Sequence, residues 1–147
     1  LLVRRSGPLQ KANVKTMPYP GFPTDMQPQI TTVLCLAEGT SVLTEGVWDN
    51  RFKYVDELHR MGAKIQVDGK VAVVEGVEQL SGAQVKALDL RAGVALVQAA
   101  LSAKGTSEIE DIHWVERGYE DLIGKLQKIG ADIKKVTIPD GAFAKNA

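Results

Sequence analysis

Alternating apolar and polar positions along the chain predict several short strands. "TSVLTEGV" at 40–47 and "KVAVVEGV" at 70–77 follow the two-residue period of a strand with one buried face. "AKIQV" at 63–67 precedes the second of them, and the "DG" between the two indicates a hairpin. Longer apolar segments that end at glycines predict helices between the strands. The pattern therefore predicts an α/β fold, or more loosely an α+β fold.

The order of the predicted elements repeats. "AEGTS" at 37–41 matches "AKGTS" at 103–107, and "RMGAKI" at 60–65 matches "KIGADI" at 128–133, so one supersecondary unit is expected twice. We expect part of one domain, with repeats at about 14–78 and 84–138 and a loose tail at 139–147. The predicted strands are 13–17, 40–47, 63–67, 70–77, 84–88, 106–112 and 131–138. The predicted helices are 25–38, 51–61, 90–104 and 118–129.

The two helices of each repeat differ in their apolar pattern. "ITTVLCLA" at 30–37 and "VALVQAALSA" at 94–103 are apolar almost all round, which is typical of helices that are buried on every side. The later helix of each repeat has a single apolar stripe and should lie outside or against a sheet. We therefore expect buried helices with sheets as walls around them.

Composition and charge exclude several classes of protein. The 147 residues include 18 basic and 18 acidic ones, so the balance gives no indication of a nucleic-acid-binding surface. One cysteine cannot form an internal disulfide, and no apolar stretch has the length needed to span a membrane. The start, "LLVRRSGP", lacks the order of a signal peptide and resembles mid-domain sequence. We expect a cytoplasmic protein of which this chain is a piece.

A stiff loop is the main difference between the two repeats. "PYPGFPTDMQ" at 18–27 contains three prolines and a glycine just before Asp25. Asp25 and Asp89 both lie at predicted helix starts, where the simpler expectation is an N-cap, worth about 1 kcal/mol. The alternative is that Asp25 is a base or a substrate anchor that the loop holds in place.

Three arginines lie where a helix disfavours them. Arg51, Arg91 and Arg117 are at or just before predicted helix starts, and the positive end of the helix dipole should cost each a few tenths to about 1 kcal/mol. A bound phosphate or carboxylate would reverse this cost. The alternative is that each arginine pairs with an acid nearby in the sequence, namely Asp49, Asp89 and either Glu116 or Glu120.

Other residue types give weaker indications. Two isolated histidines and Cys35 do not have the spacing of metal ligands, and no glycine-rich phosphate loop is present. Cys35 lies within an apolar helix and is expected to pack rather than react. Trp48 is expected in the core or an interface, or, if it is exposed, stacked on a base or sugar.

Four motifs together resemble a known family. "PYPGFPTDMQ", "DNRF" at 49–52, "DLRAG" at 89–93 and "ERGYE" at 116–120 occur in this order in the enolpyruvyl transferases that act on UDP-N-acetylglucosamine. The resemblance extends from about Val14 to Val136. It implies domains of three βαβαββ repeats around buried helices, known as an inside-out α/β barrel, of which this chain would hold about two-thirds of one.

The resemblance also implies a reaction. The enolpyruvyl group of phosphoenolpyruvate moves to the 3-hydroxyl of the amino sugar in peptidoglycan synthesis, by addition and elimination through a tetrahedral intermediate, and phosphate is released. Neither a metal nor an organic cofactor takes part. A member that uses shikimate phosphate instead, and a non-catalytic repeat that binds anions or simply packs, are the alternatives.

Matching positions carry the implied roles. Asp25 resembles the aspartate that holds and is proposed to deprotonate the sugar 3-hydroxyl, and Val47 resembles the valine whose backbone contacts the nucleotide sugar. The remaining matches, which resemble polar active-site residues, are Arg51, Asp89, Arg91 and Arg117. Of these, Arg91 and Arg117 would hold the carboxylate or phosphate of phosphoenolpyruvate, and Arg117 with Asp25 would act in catalysis. The family's reactive cysteine and a Lys-Asn pair belong to an N-terminal domain that this chain lacks, so we expect the chain alone to be inactive.

Overall fold

The computed structural model describes residues 2 and 4–137, which form a series of short strands and helices. The first part of the chain contains β1 (Val14–Lys15), a 3-10 helix (Thr24–Met26), α1 (Gln27–Leu34), β2 (Thr40–Thr44), α2 (Val55–Arg60), β3 (Lys64–Asp68) and β4 (Val71–Glu75). The second part contains β5 (Gln84–Lys86), α3 (Leu90–Ser102), β6 (Glu108–Glu110), α4 (His113–Glu116) and α5 (Leu122–Lys128).

The strands form one sheet in each part of the chain. The first sheet has the order β1-β2-β4-β3, with β1 parallel to β2 and the other pairs antiparallel. The second sheet joins β5 to β6 in parallel. Val14 lies opposite Leu43 in the first sheet, and Val85 lies opposite Ile109 in the second. Each "VK" dipeptide therefore pairs with the strand that follows the next helix.

Glycines at matching positions adopt matching backbone conformations. Gly39 and Gly105 have φ angles of +94° and +93°, and Gly62 and Gly130 have φ angles of +88° and +96°. Residues with side chains rarely adopt this left-handed region, which explains why glycine ends these helical segments. The exact limits of the two repeats, at about 14–78 and 84–138, stay a prediction.

The core lies around the two helices that the pattern marked as apolar. α1 and α3 pack against each other, and the Thr32 hydroxyl donates to the carbonyl of Ala95 across this contact at 3.4 Å. The prediction of an α/β fold with buried helices is confirmed. Burial of α3 on every side was wrong, because Leu101 is 47% exposed and lies in an open apolar groove with Leu122.

Three predicted elements differ from the structure. The helix predicted at 51–61 begins only at Val55, after a series of turns. The helix predicted at 118–129 begins only at Leu122, as α5, because Asp121 has a left-handed φ of 45° and its side chain caps α5. The short helix α4, which precedes it, was not predicted. Residues 131–137 form no strand, since a strand needs a partner and the described part of the chain offers none there. Residue 138 and the tail predicted at 139–147 lie outside the described residues.

The described helices also bear on membrane association. None of them combines the length and the apolar character that a membrane span requires.

Close backbone packing after β4 provides a test of the fold. A Cβ added to Gly76 would lie 1.7 Å from the carbonyl oxygen of Ala37, so Gly76→Ala must displace backbone, whereas nothing lies within 4 Å of a Cβ added to Gly7. We expect Gly76→Ala to lower the free energy of unfolding by about 1–3 kcal/mol. Urea unfolding measures this effect, with Gly7→Ala as the matched control. Equal stability of the two variants would contradict the described packing.

The single cysteine provides a second test. Cys35 is completely buried at the end of α1, and burial raises the pKa of its thiol to about 12. Because the thiolate is the reactive form, we expect the folded chain to resist a thiol reagent such as DTNB at pH 8 and to react fully in denaturant. Absorbance at 412 nm follows the reaction with DTNB. Rapid labelling of the folded chain would show that Cys35 is not a core residue.

Candidate functional site

The stiff loop is tied to itself and to the first sheet. Met17 N–H donates to the carbonyl of Phe22 at 3.0 Å, and Gly21 N–H donates to that of Pro18 at 2.9 Å. Thr16 N–H donates to the carbonyl of Thr44 at the end of β2 at 2.9 Å. The loop thus fixes where the 3-10 helix begins and where Asp25 lies.

Asp25 faces a residue of the other repeat. Its carboxylate is mostly exposed, at 64%, and accepts a hydrogen bond from the Arg91 side chain. Pro23 holds the N-cap position of the 3-10 helix, and no side chain caps that helix. The capping expectation is therefore wrong for Asp25. It is confirmed for Asp89, whose carboxylate accepts from the N–H groups of Arg91 at 2.8 Å and Ala92 at 2.9 Å.

Arg91 is the one arginine of the three that lies at a helix N-terminus. It is the second residue of α3, and it pairs with Asp25 rather than with its sequence neighbour Asp89. The negative charge of Asp25 offsets the repulsion between the guanidinium and the helix dipole. A partly exposed ion pair contributes at most about 1 kcal/mol to stability, so the fold does not depend on this contact.

Arg51 and Arg117 contact indole rings. The guanidinium carbons of Arg51 and Arg117 lie 5.7 and 5.5 Å from the ring centres of Trp48 and Trp114. The spacing Trp-x-x-Arg thus occurs once in each repeat with the same cation–π contact. A cation–π contact uses none of the N–H donors of the guanidinium, so they stay available for a carboxylate or phosphate. Trp48 is 56% exposed, which excludes the core as its place.

The expected pairs between arginines and neighbouring acids are absent among the described residues. The acids have lysine partners instead: Asp49 with Lys70 at 2.9 Å, Glu120 with Lys125 at 3.5 Å, and Glu116 with Lys135. The predicted helix-start positions of two arginines were also wrong. Arg51 lies in the turns before α2, and Arg117 ends α4, where a positive charge is favourable.

Glu45 is a central residue that the sequence analysis missed. It is 1% exposed and accepts four hydrogen bonds: from the hydroxyls of Thr16 at 2.7 Å and Thr24 at 3.0 Å, and from the N–H groups of Val47 at 2.9 Å and Trp48 at 3.1 Å. Burial favours the neutral acid, but these hydrogen bonds outweigh it and lower the pKa of Glu45. The signal was the two-residue period, since Ser41 and Leu43 share the buried face.

The six predicted site residues are brought together to different degrees. Asp25, Asp89 and Arg91 form one hydrogen-bonded group at the start of α3. Glu45 connects this region to the turn after β2, because it accepts hydrogen bonds from Thr24, next to Asp25, and from the N–H groups of Val47 and Trp48. Arg51 joins the group through its contact with the Trp48 ring.

Arg117 lies in a segment that packs against the start of α3. A Cβ added to its neighbour Gly118 would lie 2.6 Å from Leu90, the first residue of α3. Neither Arg51 nor Arg117 has an ion pair or hydrogen bond with Asp25 in the described part of the chain.

The described residues do not meet the requirements of a metal site. No cluster of three or more histidines, cysteines or acids that could hold a metal occurs among residues 2 and 4–137.

Comparisons with known proteins agree on one family. Residues 2–126 match the model of the family described as EPSP synthase (3-phosphoshikimate 1-carboxyvinyltransferase). The chain is 52% identical to UDP-N-acetylglucosamine 1-carboxyvinyltransferase 3 of Caldanaerobacter subterraneus, over 91% of the chain and 32% of the relative. It is also 52% identical to UDP-N-acetylglucosamine 1-carboxyvinyltransferase of Desulfofundulus thermocisternus, over 99% of the chain and 62% of the relative.

A solved structure agrees with these relatives. The enolpyruvyl transferase NikO from Streptomyces tendae matches with a TM-score of 0.83 and 35% identity, over 92% of this chain and 31% of NikO. This chain spans about a third of the length of two of these three proteins and less than two-thirds of the other. The chain belongs to the EPSP synthase family of enolpyruvyl transferases, and over most of its length it resembles the members named UDP-N-acetylglucosamine 1-carboxyvinyltransferase.

Proposed function

We propose that this chain is part of a transferase that moves the enolpyruvyl group of phosphoenolpyruvate to the 3-hydroxyl of UDP-N-acetylglucosamine in peptidoglycan synthesis. The observation that carries the proposal is the pairing of Asp25 with Arg91. An exposed acid at the end of a rigid loop and an arginine at a helix start meet across two repeats. The relatives at 52% identity carry the name of this activity.

Asp25 is suited to hold the sugar hydroxyl. A carboxylate accepts a hydrogen bond from a hydroxyl and can take its proton as oxygen attacks. The stiff loop fixes the direction of the carboxylate before substrate arrives, which lowers the entropy cost of orientation. The backbone at Val47, in the turn that Glu45 holds, is proposed to contact the nucleotide sugar.

The arginines are suited to the anionic substrate. Arg91 and Arg117 are proposed to hold the carboxylate or phosphate of phosphoenolpyruvate, with Arg51 and Asp89 as further polar residues of the site. Arg91 lies in the first turn of α3, where the positive end of the helix dipole also favours an anion. Positive groups fixed in place stabilise the charge of the departing phosphate without rearrangement. Arg117 is therefore proposed as a catalytic residue together with Asp25.

The rest of the site is proposed to lie on another domain. The chain spans about a third of the Caldanaerobacter relative, so most of such a protein lies outside it. The family's reactive cysteine and Lys-Asn pair would come from the N-terminal domain, and the site would close between the domains. We propose that the whole protein works in the cytoplasm without a metal, an organic cofactor, a membrane or a nucleic acid, and that this chain alone is inactive.

Shikimate phosphate is the alternative substrate, because the description of the matching family names it. The motif "PYPGFPTDMQ" and the 52% identity to two enzymes named for UDP-N-acetylglucosamine favour the nucleotide sugar. A purely packing role is disfavoured, because Arg51, Arg91 and Arg117 contact partners other than their neighbouring acids.

Substrate preference tests the proposal directly. We expect the full-length protein that carries this chain to release phosphate from phosphoenolpyruvate with UDP-N-acetylglucosamine as acceptor, and to prefer it to shikimate 3-phosphate at least 100-fold in kcat/KM, about 2.7 kcal/mol in barrier. A coupled phosphate assay with each acceptor measures the ratio. Preference for shikimate 3-phosphate would overturn the assignment of the substrate.

The role of Asp25 can be tested in the same assay. We expect Asp25→Ala to lower kcat by about 10²–10⁴-fold, because the sugar hydroxyl loses its acceptor, while the melting temperature changes little since the carboxylate is exposed. Asp132→Ala, which removes an exposed acid outside the site, is the control. If Asp25→Ala retains more than a tenth of the turnover, the proposed role of the carboxylate is wrong.

A further inference from the structure

The hydrogen bonds of Glu45 join its own turn to two residues that lie more than 20 positions earlier in the sequence. Oε1 accepts from the Thr16 hydroxyl just before the stiff loop and from the backbone N–H groups of Val47 and Trp48. Oε2 accepts from the hydroxyl of Thr24, the residue before Asp25. A single buried carboxylate thus links Thr16, two residues before the stiff loop, Thr24 within the loop, and the turn after β2.

The packing next to Glu45 allows little adjustment. A Cβ added to Gly46 would lie 2.3 Å from the carbonyl oxygen of Thr16, so the turn and the loop touch through their backbones. Gly46 N–H also donates to the Thr16 hydroxyl at 2.9 Å. Removal of the carboxylate would leave two backbone N–H groups and two hydroxyls to find new acceptors within a closely packed junction.

Three of the four groups that donate to Glu45 lie next to, or belong to, residues with proposed substrate contacts. Thr24 precedes Asp25 in the 3-10 helix, and the backbone of Val47 is itself proposed to contact the nucleotide sugar. The ring of Trp48 contacts the guanidinium of Arg51. The hydrogen bonds therefore fix the acid, the sugar-binding backbone and one arginine relative to one another. A displacement of about 1 Å in such groups can cost on the order of 100-fold in rate.

We propose that Glu45 is a positioning residue that sets the mutual placement of Asp25 and the Val47–Trp48 turn. The inference rests on the proposed function, since it gives these segments a substrate to hold. Glu45 acts through its hydrogen bonds and does not touch the substrate. Arg91 and Arg117 lie on α3 and at the end of α4, and neither bonds to Glu45.

The test compares variants of the full-length protein in the phosphate-release assay. We expect Glu45→Ala to lower kcat at least tenfold and to raise the KM for UDP-N-acetylglucosamine at least fivefold, while the KM for phosphoenolpyruvate changes less than twofold. Glu45→Gln keeps one oxygen for three of the hydrogen bonds, so we expect it to restore both constants to within threefold of the parent protein. Glu75→Ala, which removes an exposed glutamate paired with Lys64, is the matched control.

A second variant separates positioning from general stability. Thr24→Val removes one hydrogen bond to Glu45 and leaves the carboxylate in place. We expect it to lower kcat several-fold with less than 2 °C change in melting temperature. If Glu45→Ala fails to fold, the kcat of Thr24→Val still tests whether Glu45 positions the site.

Hydrogen–deuterium exchange gives a measurement that does not need activity. In Glu45→Ala the amides of Val47 and Trp48 should exchange at least tenfold faster, and in Thr24→Val the change should be confined to the stiff loop. Absence of transferase activity in the parent protein would refute the proposed function, while exchange would still report on Glu45. If both Glu45→Ala and Thr24→Val keep the parent's kcat, KM and exchange rates within twofold, the inference is wrong.

Discussion

The packing of α1 against α3 is the contact on which the rest of the structure depends. These two buried helices come from different repeats, and the Gln98 side chain donates to the carbonyl of Gln29 across their contact at 3.3 Å. Because the helices pack together, the 3-10 helix that leads into α1 lies beside the first turn of α3. Asp25 and Arg91 meet there although they are far apart in the sequence. The site is thus a consequence of how the repeats pack.

Local patterns predicted the fold well where an element depends on its own residues. The apolar helices, the hairpin between β3 and β4 and the glycines with positive φ all follow from nearby sequence. The errors arose where an element depends on distant residues. The segment at 131–137 has the composition of a strand but no partner in the described residues. The late start of α5 has a local cause instead, because Asp121 caps it in a conformation that few side chains adopt.

Which residues form the site stays a prediction, and the contacts among them were not predicted. The motifs identified Asp25 and Arg91, but rules of sequence proximity paired Arg91 with Asp89. Tertiary packing determines which charged side chains meet on a folded surface, and closeness in the sequence does not predict it. Glu45 was missed because a charged residue in an alternating strand is usually exposed, and its burial depends on donors from two other segments.

The acids of the site divide into two kinds. Glu45 is buried and accepts four hydrogen bonds within the protein, so it can fix the positions of neighbouring segments but cannot bind a ligand. Asp25 is exposed and has one partner, so its remaining acceptor sites face solvent. The three arginines resemble Asp25 in this respect, because a partly exposed ion pair and two ring contacts leave guanidinium donors available.

The difference between buried and exposed charged groups matters for electrostatic catalysis. A site for an anionic substrate needs positive groups that are fixed in place and yet not neutralised by buried partners. Rings and an exposed carboxylate provide such support, since each contributes at most about 1 kcal/mol and can be exchanged for substrate. Buried ion pairs at the same positions would hold the arginines more firmly, but separating them would leave an unpaired buried charge at a cost of several kcal/mol. Under the proposed function, weak contacts at the surface above a fully hydrogen-bonded carboxylate would therefore suit substrate binding better than buried ion pairs.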